Sequence, residues 1–253
     1  QAAPAFMNMN RPEFQDVNVR RAISMAIDRE ALNRLVWHNL AKGAYSVGSP
    51  ALGRSWYMEP EDYPPEVRRW VTRDVKAAKD LLAKTAYPDG FTTKILFWPL
   101  QAGMGQTAEA LSAMLKDIGI TLKLESLNST EYTIVIAQYP WDKPDARHSG
   151  FLIGLISWTA VDDIYQYAYS TSGRNRSVIQ DPKVDQMIME QRRTLDEAKR
   201  QKIIRDLQTY IVDQMYMVPL PIGPHAEVHR PYVKGFYYKT YGYYDGEPMR
   251  DAW

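Results

Sequence analysis

A strand, a helix and a second strand follow one another in the middle of the chain, and this succession constrains the fold more than any other feature. Thr93–Trp98 predicts the first strand and Ile120–Leu124 predicts the second. Between them, apolar residues recur at the spacing of one helix face: Ala108, Leu111, Leu115 and Ile118. Two strands joined through a helix by short connections form a right-handed parallel unit. The sequence therefore predicts an α/β fold.

Further elements extend this pattern on both sides. Phe151–Ile156 is a continuous apolar run, which is typical of a strand buried on both faces. Ala5–Met9 predicts a strand near the start of the sequence. Met217–Pro221 predicts a strand at a sheet edge or crossing point, because proline cannot donate to a neighbouring strand. Long helices are predicted over 182–193 and 196–215.

Aspartates indicate where helices begin. Asp16, Asp28 and Asp74 each precede an apolar pattern with helical spacing, and we expect them to be N-caps. The helix after Asp28 is predicted to carry Ala31, Leu35 and Val36. Arg11–Asp16, which contains a proline, predicts a break between the first strand and the first helix.

Composition narrows the classes of partner. The formal net charge is only +1, which gives no strong field toward nucleic acid or an acidic membrane surface, so we expect neither as a partner. The absence of cysteine excludes thiol nucleophiles and cysteine-based metal sites. No apolar run is long enough to predict a transmembrane helix. Aromatic residues make up 12% of the chain, and rings suit both a solute pocket and a core.

Two patterns suggest chemistry, and each has a simpler interpretation. Gly103–Ala108 matches the dinucleotide pattern G-x-G-x-x-A, with Glu125 where a ribose-binding acid would lie. That pattern needs a tight turn directly after the strand, whereas Pro99–Ala102 intervene, which favours an ordinary loop. His225 and His229 lie four residues apart, but their proline-flanked stretch does not predict a helix or a zinc site. We therefore expect neither an enzyme nor a bound cofactor or metal.

The segment Ser157–Tyr165 is a stronger candidate for a binding site. It follows the most apolar predicted strand, and strand ends in open α/β sheets face the ligand crevice. The Trp158 indole offers a stacking surface, and Asp162 or Asp163 offers an anion for an amine or hydroxyl. The alternative interpretation is that Trp158 belongs to the core and that Asp162 caps the next helix.

The segment Pro12–Arg29, preceded by Asn8, closely resembles a signature of the family 5 extracellular solute-binding proteins, which serve peptide, nickel and opine importers of the ABC type. The family pattern is an Asn, a Pro-x-Phe-x-Asp stretch, then Val-Arg-x-Ala and Ala-Ile-Asp-Arg, and each part is present here. Further matches follow in chain order: Asp74–Leu82, Tyr87–Gly90, Leu115–Ile120 and Asp181–Asp185. The resemblance covers nearly the whole chain.

The resemblance implies a lobe of the type II periplasmic-binding-protein kind, with a mixed sheet flanked by helices. Members have two lobes joined by hinge strands, and the matched regions correspond to the C-terminal lobe. We therefore expect residues 1–9 to be a hinge strand from a missing N-terminal lobe, residues 10–216 to be the C-terminal solute-binding lobe, and residues 217–253 to be a return segment. The hinge crossings would be Ala5–Met9 and Met217–Pro221.

The resemblance also bears on the site. Peptide-binding members carry Trp-x-x-Asp after the apolar strand, but here the acids follow Trp158 one and two residues late. Dipeptide binders hold the carboxylate with an arginine in the loop after the Phe97–Trp98 strand, and Pro99–Gly105 contains none. These departures open the alternative of an oligosaccharide or another polar solute. The expected solute contacts are these seven: Trp98, Gln101, Trp158, Asp162, Asp163, Tyr165 and Asn175.

The resemblance implies an extracytoplasmic component of an ABC importer that binds a peptide or peptide-like solute between two lobes without chemistry. Its partners would be the solute, the permease subunits and the missing N-terminal lobe, with no nucleic acid, and we expect a monomer. The location would be periplasmic or otherwise extracytoplasmic, and a lipid anchor of a membrane-anchored lipoprotein would lie upstream of this chain. Two alternatives of other classes remain: a nucleotide-dependent enzyme with a Rossmann-like site at Gly103–Ala108, and a sensory domain.

Overall fold

A computed structural model describes residues 4–41, 45, 47–48, 53–100, 103–137, 150–154, 162–223, 230 and 232, and of residues 163–165 it describes only the backbone. Gln101, Trp158 and both histidines of the 225–229 pair lie outside the described residues. The same is true of most of the predicted return segment beyond Gly223.

A five-stranded mixed sheet organises the described chain. Its strands are β1 (Ala5–Met7), β2 (Thr92–Phe97), β3 (Thr121–Ser126), β4 (Phe151–Ile153) and β5 (Met217–Val218), in the spatial order β3-β2-β4-β1-β5. β2 runs parallel to β3 and β4, whereas β1 runs antiparallel to β4 and β5. This confirms the predicted parallel strand–helix–strand unit and the predicted edge position of the strand at Met217–Val218.

Helices supply the layers on the two faces of the sheet. They are α1 (Pro12–Gln15), α2 (Val17–Ala26), α3 (Arg29–Trp37), α4 (Pro65–Arg68), α5 (Val75–Leu82), α6 (Met104–Lys116), α7 (Ser129–Ala137), α8 (Asp163–Ala168), α9 (Pro182–Arg193) and α10 (Glu197–Gln214). The short helix α1 corrects the predicted break at Arg11–Asp16. Pro12 occupies the first helical position, where its missing N–H costs nothing, and Phe14 is fully buried.

The predicted N-caps are confirmed. The Asp16 carboxylate accepts the Asn18 N–H at 2.8 Å, and Asp28 accepts the Ala31 N–H at 2.8 Å. Asp74 caps α5 in the same way. In α3, however, the buried face is formed by Leu32 and Val36, while Leu35 is 64% exposed. Leu35 thus lies on the solvent face of the helix, one position off the apolar stripe.

The two faces of the sheet bury different sets of rings. Because side chains alternate along a strand and paired residues share a face, Phe6 of β1 and Leu152 of β4 lie on one face. Phe151 lies on the opposite face, where its ring meets Phe14 edge-on at 5.1 Å. On the first face, Phe6 stacks on Tyr167 of α8 at 6.2 Å. β1, β4 and β5 are buried throughout, so these three strands lie within the core.

Arginines near the start of the chain bind the backbone near its far end. The Arg20 Nε donates to the Gln214 carbonyl at 2.9 Å, and the Arg29 Nε donates to the Pro219 carbonyl at 3.0 Å. Both arginines belong to the motif around α2 and α3. The segment that enters the sheet through β1 is therefore fixed to the segment that leaves it through β5.

Among the helices that the structure describes, none is both long enough and apolar enough to cross a lipid bilayer.

Candidate functional site

The carboxyl ends of the parallel strands bring the candidate site together. Trp98 directly follows β2 and Gly154 directly follows β4, and because these strands are parallel neighbours, both residues lie at the same edge of the sheet. Of the candidate segment Ser157–Tyr165, the structure describes the residues from Asp162 onward. Asp163 and Tyr165 belong to α8, and their side chains lie outside the description. Their contact with a solute stays a prediction.

Trp98 forms one side of an aromatic pair at this edge. Its ring stacks on Tyr132 of α7 with centroids 6.0 Å apart and an interplanar angle of 27°. Tyr132 is itself fixed, because its hydroxyl donates to the Ile153 carbonyl at 3.0 Å. The Trp98 indole Nε1 is buried and meets no hydrogen-bond acceptor in the described part of the chain. A buried N–H without an acceptor is costly, so this donor would gain from a ligand that accepts its hydrogen bond.

Asp162 is held by α9. Its carboxylate accepts a hydrogen bond from the Gln191 amide at 2.5 Å and lies 3.4 Å from the Arg192 Nε. Gln191 is completely buried and in turn accepts from Arg200 at 3.0 Å. About a third of the Asp162 side chain remains exposed. Asp162 therefore stays a predicted solute contact, although its carboxylate oxygens also bind Gln191 and Arg192 of α9.

Asn175 has a structural role in this structure, and its contact with a solute stays a prediction. The residue is completely buried. Its side-chain oxygen accepts the Ile179 N–H at 2.9 Å, and its amide nitrogen donates to the Ile179 carbonyl at 2.8 Å. The oxygen and the nitrogen of the side-chain amide are therefore both used in hydrogen bonds within the loop before α9.

The structure adds one residue that the sequence did not indicate. Arg176 is only 7% exposed. Its guanidinium carbon lies 5.5 Å from the Phe6 ring centroid and 5.7 Å from that of Tyr167. Burial lowers the pKa of Arg176, and the nearby phenols of Tyr132 and Tyr167 offset this in part. The polar stretch around Arg176 is typical of a solvated loop, so no sequence signal marked it as buried.

Gly103 and Glu125, which suggested a nucleotide site, have other roles in the structure. Gly103 is the N-cap of α6 with φ +77°, and a Cβ there would come within 2.4 Å of the Trp37 ring. The glycine is therefore required by packing and backbone conformation. Glu125 pairs with Lys94 on the neighbouring strand at 3.2 Å, where a ribose-binding acid would need a free carboxylate. Neither observation favours a dinucleotide site.

Within the described ranges, no group of three or more metal-ligating side chains is arranged to hold a metal ion.

Solved structures share this fold. A dipeptide-binding protein from Pseudoalteromonas sp. SM9913, solved in complex with Met-Leu, superposes with a TM-score of 0.79 at 22% identity, covering 95% of this chain and 46% of that one. Structures of this kind are type II periplasmic binding proteins. The likeness shows the class of fold: it is the α/β fold of the type II periplasmic binding proteins, with a mixed sheet flanked by helices.

The family follows from the sequence match. The model of bacterial extracellular solute-binding proteins, family 5 Middle, matches residues 3–177, which is more than half of the chain. The chain belongs to this family. The resemblance seen around Pro12–Arg29 is thereby confirmed.

Curated relatives extend the match over most of the chain. The glutathione-binding protein GsiB of Salmonella paratyphi A is 20% identical over 240 residues, covering 91% of this chain and 44% of that protein. The dipeptide-binding protein DppE of Bacillus subtilis is 22% identical over 244 residues, covering 94% of this chain and 43% of that protein. The chain thus spans less than half the length of these relatives.

Proposed function

We propose that this chain is the C-terminal lobe of an extracytoplasmic solute-binding protein that delivers a peptide or peptide-like solute to an ABC importer. The observation that carries the proposal is the family 5 match over residues 3–177. Relatives named for binding glutathione and dipeptides support a solute of this class. The solute is bound without covalent chemistry and passed to permease subunits.

The boundaries of the lobe are part of the proposal. Residues 10–216 form the lobe, residues 1–9 enter it from a second lobe, and residues 217–253 return toward that lobe. The adjacent, antiparallel strands β1 and β5 support this arrangement, because the chain enters and leaves the sheet side by side. The coverage of 43–44% of the curated relatives is consistent with a second lobe of similar size.

Capture then follows from closure of two lobes around the solute. Contacts made by both lobes exist only in the closed state, so the solute shifts the equilibrium between open and closed forms. In this lobe, the carboxyl edge of the sheet provides the Trp98–Tyr132 ring pair for stacking. We further propose Gln101, Trp158, Asp163 and Tyr165 as solute contacts, and we propose that the Asp162 carboxylate contacts both the solute and α9.

Isothermal titration calorimetry on the complete two-lobed protein tests this function. We expect di- to tetrapeptides or glutathione to bind at micromolar concentration or below, and neutral oligosaccharides and nucleotides not to bind. The 253-residue chain alone should bind the same solute at least about tenfold more weakly, because the contacts of the other lobe are lost.

Other outcomes would identify the alternatives. Binding of oligosaccharides but not peptides would replace the peptide with a sugar in the same cleft. Binding of a nucleotide would support an enzyme with a site at Gly103–Ala108. Failure of every small solute to bind, together with capture of a signalling protein, would point to a sensory domain.

A further inference from the structure

Two side chains of α9 hold the Asp162 carboxylate, one at each oxygen. The Gln191 amide donates to the Asp162 Oδ1 at 2.5 Å, and the Arg192 Nε lies 3.4 Å from the Asp162 Oδ2. These two side chains differ in exposure, because Gln191 is completely buried whereas 42% of the Arg192 side chain is exposed. The two contacts therefore differ in what it costs to break them.

The Arg192 contact is the one that a solute can replace. Breaking the Gln191 contact would leave a buried N–H without an acceptor, which is costly. Breaking the Arg192 contact would return a half-exposed guanidinium to water, and exposed ion pairs contribute little to stability. A hydrogen-bond donor on a solute would therefore displace Arg192 from Asp162 and leave Gln191 in place.

Arg200 of α10 determines which way the Gln191 amide points. The Arg200 Nε donates to the Gln191 Oε1 at 3.0 Å, so the amide nitrogen faces Asp162. The opposite orientation would place two donors together at Arg200 and two acceptors together at Asp162. The Arg200 guanidinium also lies 5.8 Å from the Trp56 ring centroid, and the Trp56 carbonyl accepts from the buried Gln208 amide at 2.8 Å. Arg200 is thus held in place at its far side.

We propose that Arg192 is a specificity-determining residue that a solute amine displaces from Asp162, and that Arg200 is a positioning residue that keeps Asp162 in place through Gln191. This inference rests on the proposed function, since it assumes that Asp162 contacts the solute. The two arginines carry the same charge but have opposite effects. Arg192 competes with the solute for the carboxylate, whereas Arg200 supports the carboxylate that the solute binds.

Calorimetry on the complete two-lobed protein with matched ligands tests this inference. The probes are glutathione and trialanine, each compared with its N-acetyl form, which lacks the positive charge of the amine. Wild-type protein should bind the free amine about tenfold more tightly than the N-acetyl form, as expected for a hydrogen bond between charged groups. The ratio of the two dissociation constants is the readout, because a purely structural change would weaken both forms equally.

Removing the competing arginine should strengthen binding. Arg192→Met should bind the free amine about two- to fivefold more tightly than wild type, which is the range for loss of an exposed ion pair, and should bind the N-acetyl form unchanged. Arg193→Met is the matched control, because it removes the same charge from the neighbouring exposed position of α9. The control should leave the ratio at its wild-type value.

Removing the supporting arginine should have the opposite effect. Arg200→Met should weaken binding of the free amine about five- to tenfold and change binding of the N-acetyl form much less. Arg200→Lys should restore part of the ratio, because an ammonium group can still donate to the Gln191 oxygen. Lys199→Met, a change to the exposed neighbour on α10, should leave the ratio intact. If Arg200→Met fails to fold, Arg200→Lys and the exposed Arg192→Met still test the proposal.

The outcomes separate this inference from the proposed function. Equal binding of the free amine and the N-acetyl form by wild-type protein would overturn the inference and leave the proposed function standing. The same holds if Arg192→Met binds the free amine no better than Arg193→Met, or if Arg200→Met weakens both forms equally. Binding of none of the four probes would contradict the proposed function and, with it, this inference.

Discussion

The indole ring of Trp37 is the reason that two distant positions in the chain, 103 and 223, must be glycine. A Cβ at Gly103 would come within 2.4 Å of the Trp37 ring, and a Cβ at Gly223 would come within 2.3 Å of the same ring. Trp37 ends α3, Gly103 is the N-cap of α6, and Gly223 lies after β5. The ring thus packs three segments together, and each glycine is needed because a side chain would occupy the place of the indole.

Gly103→Ala should be strongly destabilising. The left-handed backbone at φ +77° costs a residue with a side chain about 1–2 kcal/mol, and overpacking against Trp37 adds about 1–3 kcal/mol. Urea unfolding monitored by circular dichroism would measure the loss. Gly173→Ala is the matched control, because a Cβ there meets open space, and it should change stability by no more than about 0.5 kcal/mol. Equal effects of the two changes would contradict this account.

At the scale of elements, one carboxylate joins two helices. Asp181 caps α9 by accepting the Lys183 N–H at 2.8 Å. The same carboxylate accepts the hydroxyls of Tyr210 at 2.9 Å and Tyr216 at 2.8 Å, from α10 and the residues just after it. Burial alone would raise the pKa of Asp181, but these hydrogen bonds outweigh burial and lower it. The packing of α9 on α10 is therefore fixed at this end by a charge.

Asp181→Asn should lower the free energy of unfolding by about 1–3 kcal/mol, since an amide accepts these three donors less well than a carboxylate. Chemical denaturation at neutral pH would measure it. Asp206→Asn removes an exposed partner of Lys202 on α10 and should cost no more than about 0.5 kcal/mol. A cost for Asp181→Asn as small as that of the control would show that the carboxylate does not join the helices.

Tyr210 and Tyr216 should make the protein less stable at alkaline pH. Burial, together with hydrogen bonding to Asp181, raises the pKa of Tyr210 to about 12 and that of Tyr216 further. In the unfolded chain both ionise near their ordinary value of about 10. The folded state then binds more protons above that pH, so stability falls as pH rises from about 10 upward. Across this pH range, the melting temperature of the double variant Tyr210→Phe/Tyr216→Phe should fall less steeply than that of the wild type. Equal slopes of melting temperature against pH would show that these tyrosines do not cause the loss of stability.

At the scale of the whole molecule, the beginning and end of the described chain are tied by buried arginines. Arg29 is 3% exposed and donates to the carbonyls of Pro219, Ser24 and Val71 at 3.0–3.1 Å. Burial lowers its pKa to about 10. The motif that is typical of the family therefore includes a cation whose role is to satisfy carbonyls of the last strand segment and of the loop after α4.

Arg29→Gln should be among the most damaging single changes in the lobe. It leaves buried carbonyls without donors, each costing about 1–3 kcal/mol, so a total of about 3 kcal/mol or more is expected. Arg34→Gln changes an exposed arginine on the same helix and should be nearly neutral. Hydrogen exchange should show the loss of protection concentrated in β5 and β1. A uniform or negligible loss would argue against a tie between the two ends.

Whether an interaction could be predicted from the sequence depends on how far apart its two residues lie in the chain. The caps at Asp16, Asp28 and Asp74 were predictable because each bond spans two or three residues. The parallel unit and the edge strand were predictable from periodicity and proline. Burial of Arg29 was not, because its partner Pro219 lies 190 residues away and charged residues are ordinarily exposed.

The candidate site divides in the same way. Trp98 could be placed at a strand end from local pattern alone. The burial of Asn175 and of Arg176 depends on how the loop before α9 folds back over β1, which no local pattern encodes. Sequence periodicity fixes where strands end, but tertiary packing decides which polar side chains reach that edge.

The pairing of Ala5 with Val218 has a further consequence. A unit whose first and last strands are hydrogen-bonded neighbours can be spliced into a surface turn of another protein while the host's backbone is displaced by little more than the spacing of two strands. The same geometry suits the segment from β1 to β5 to insertion into a surface turn of an engineered reporter protein.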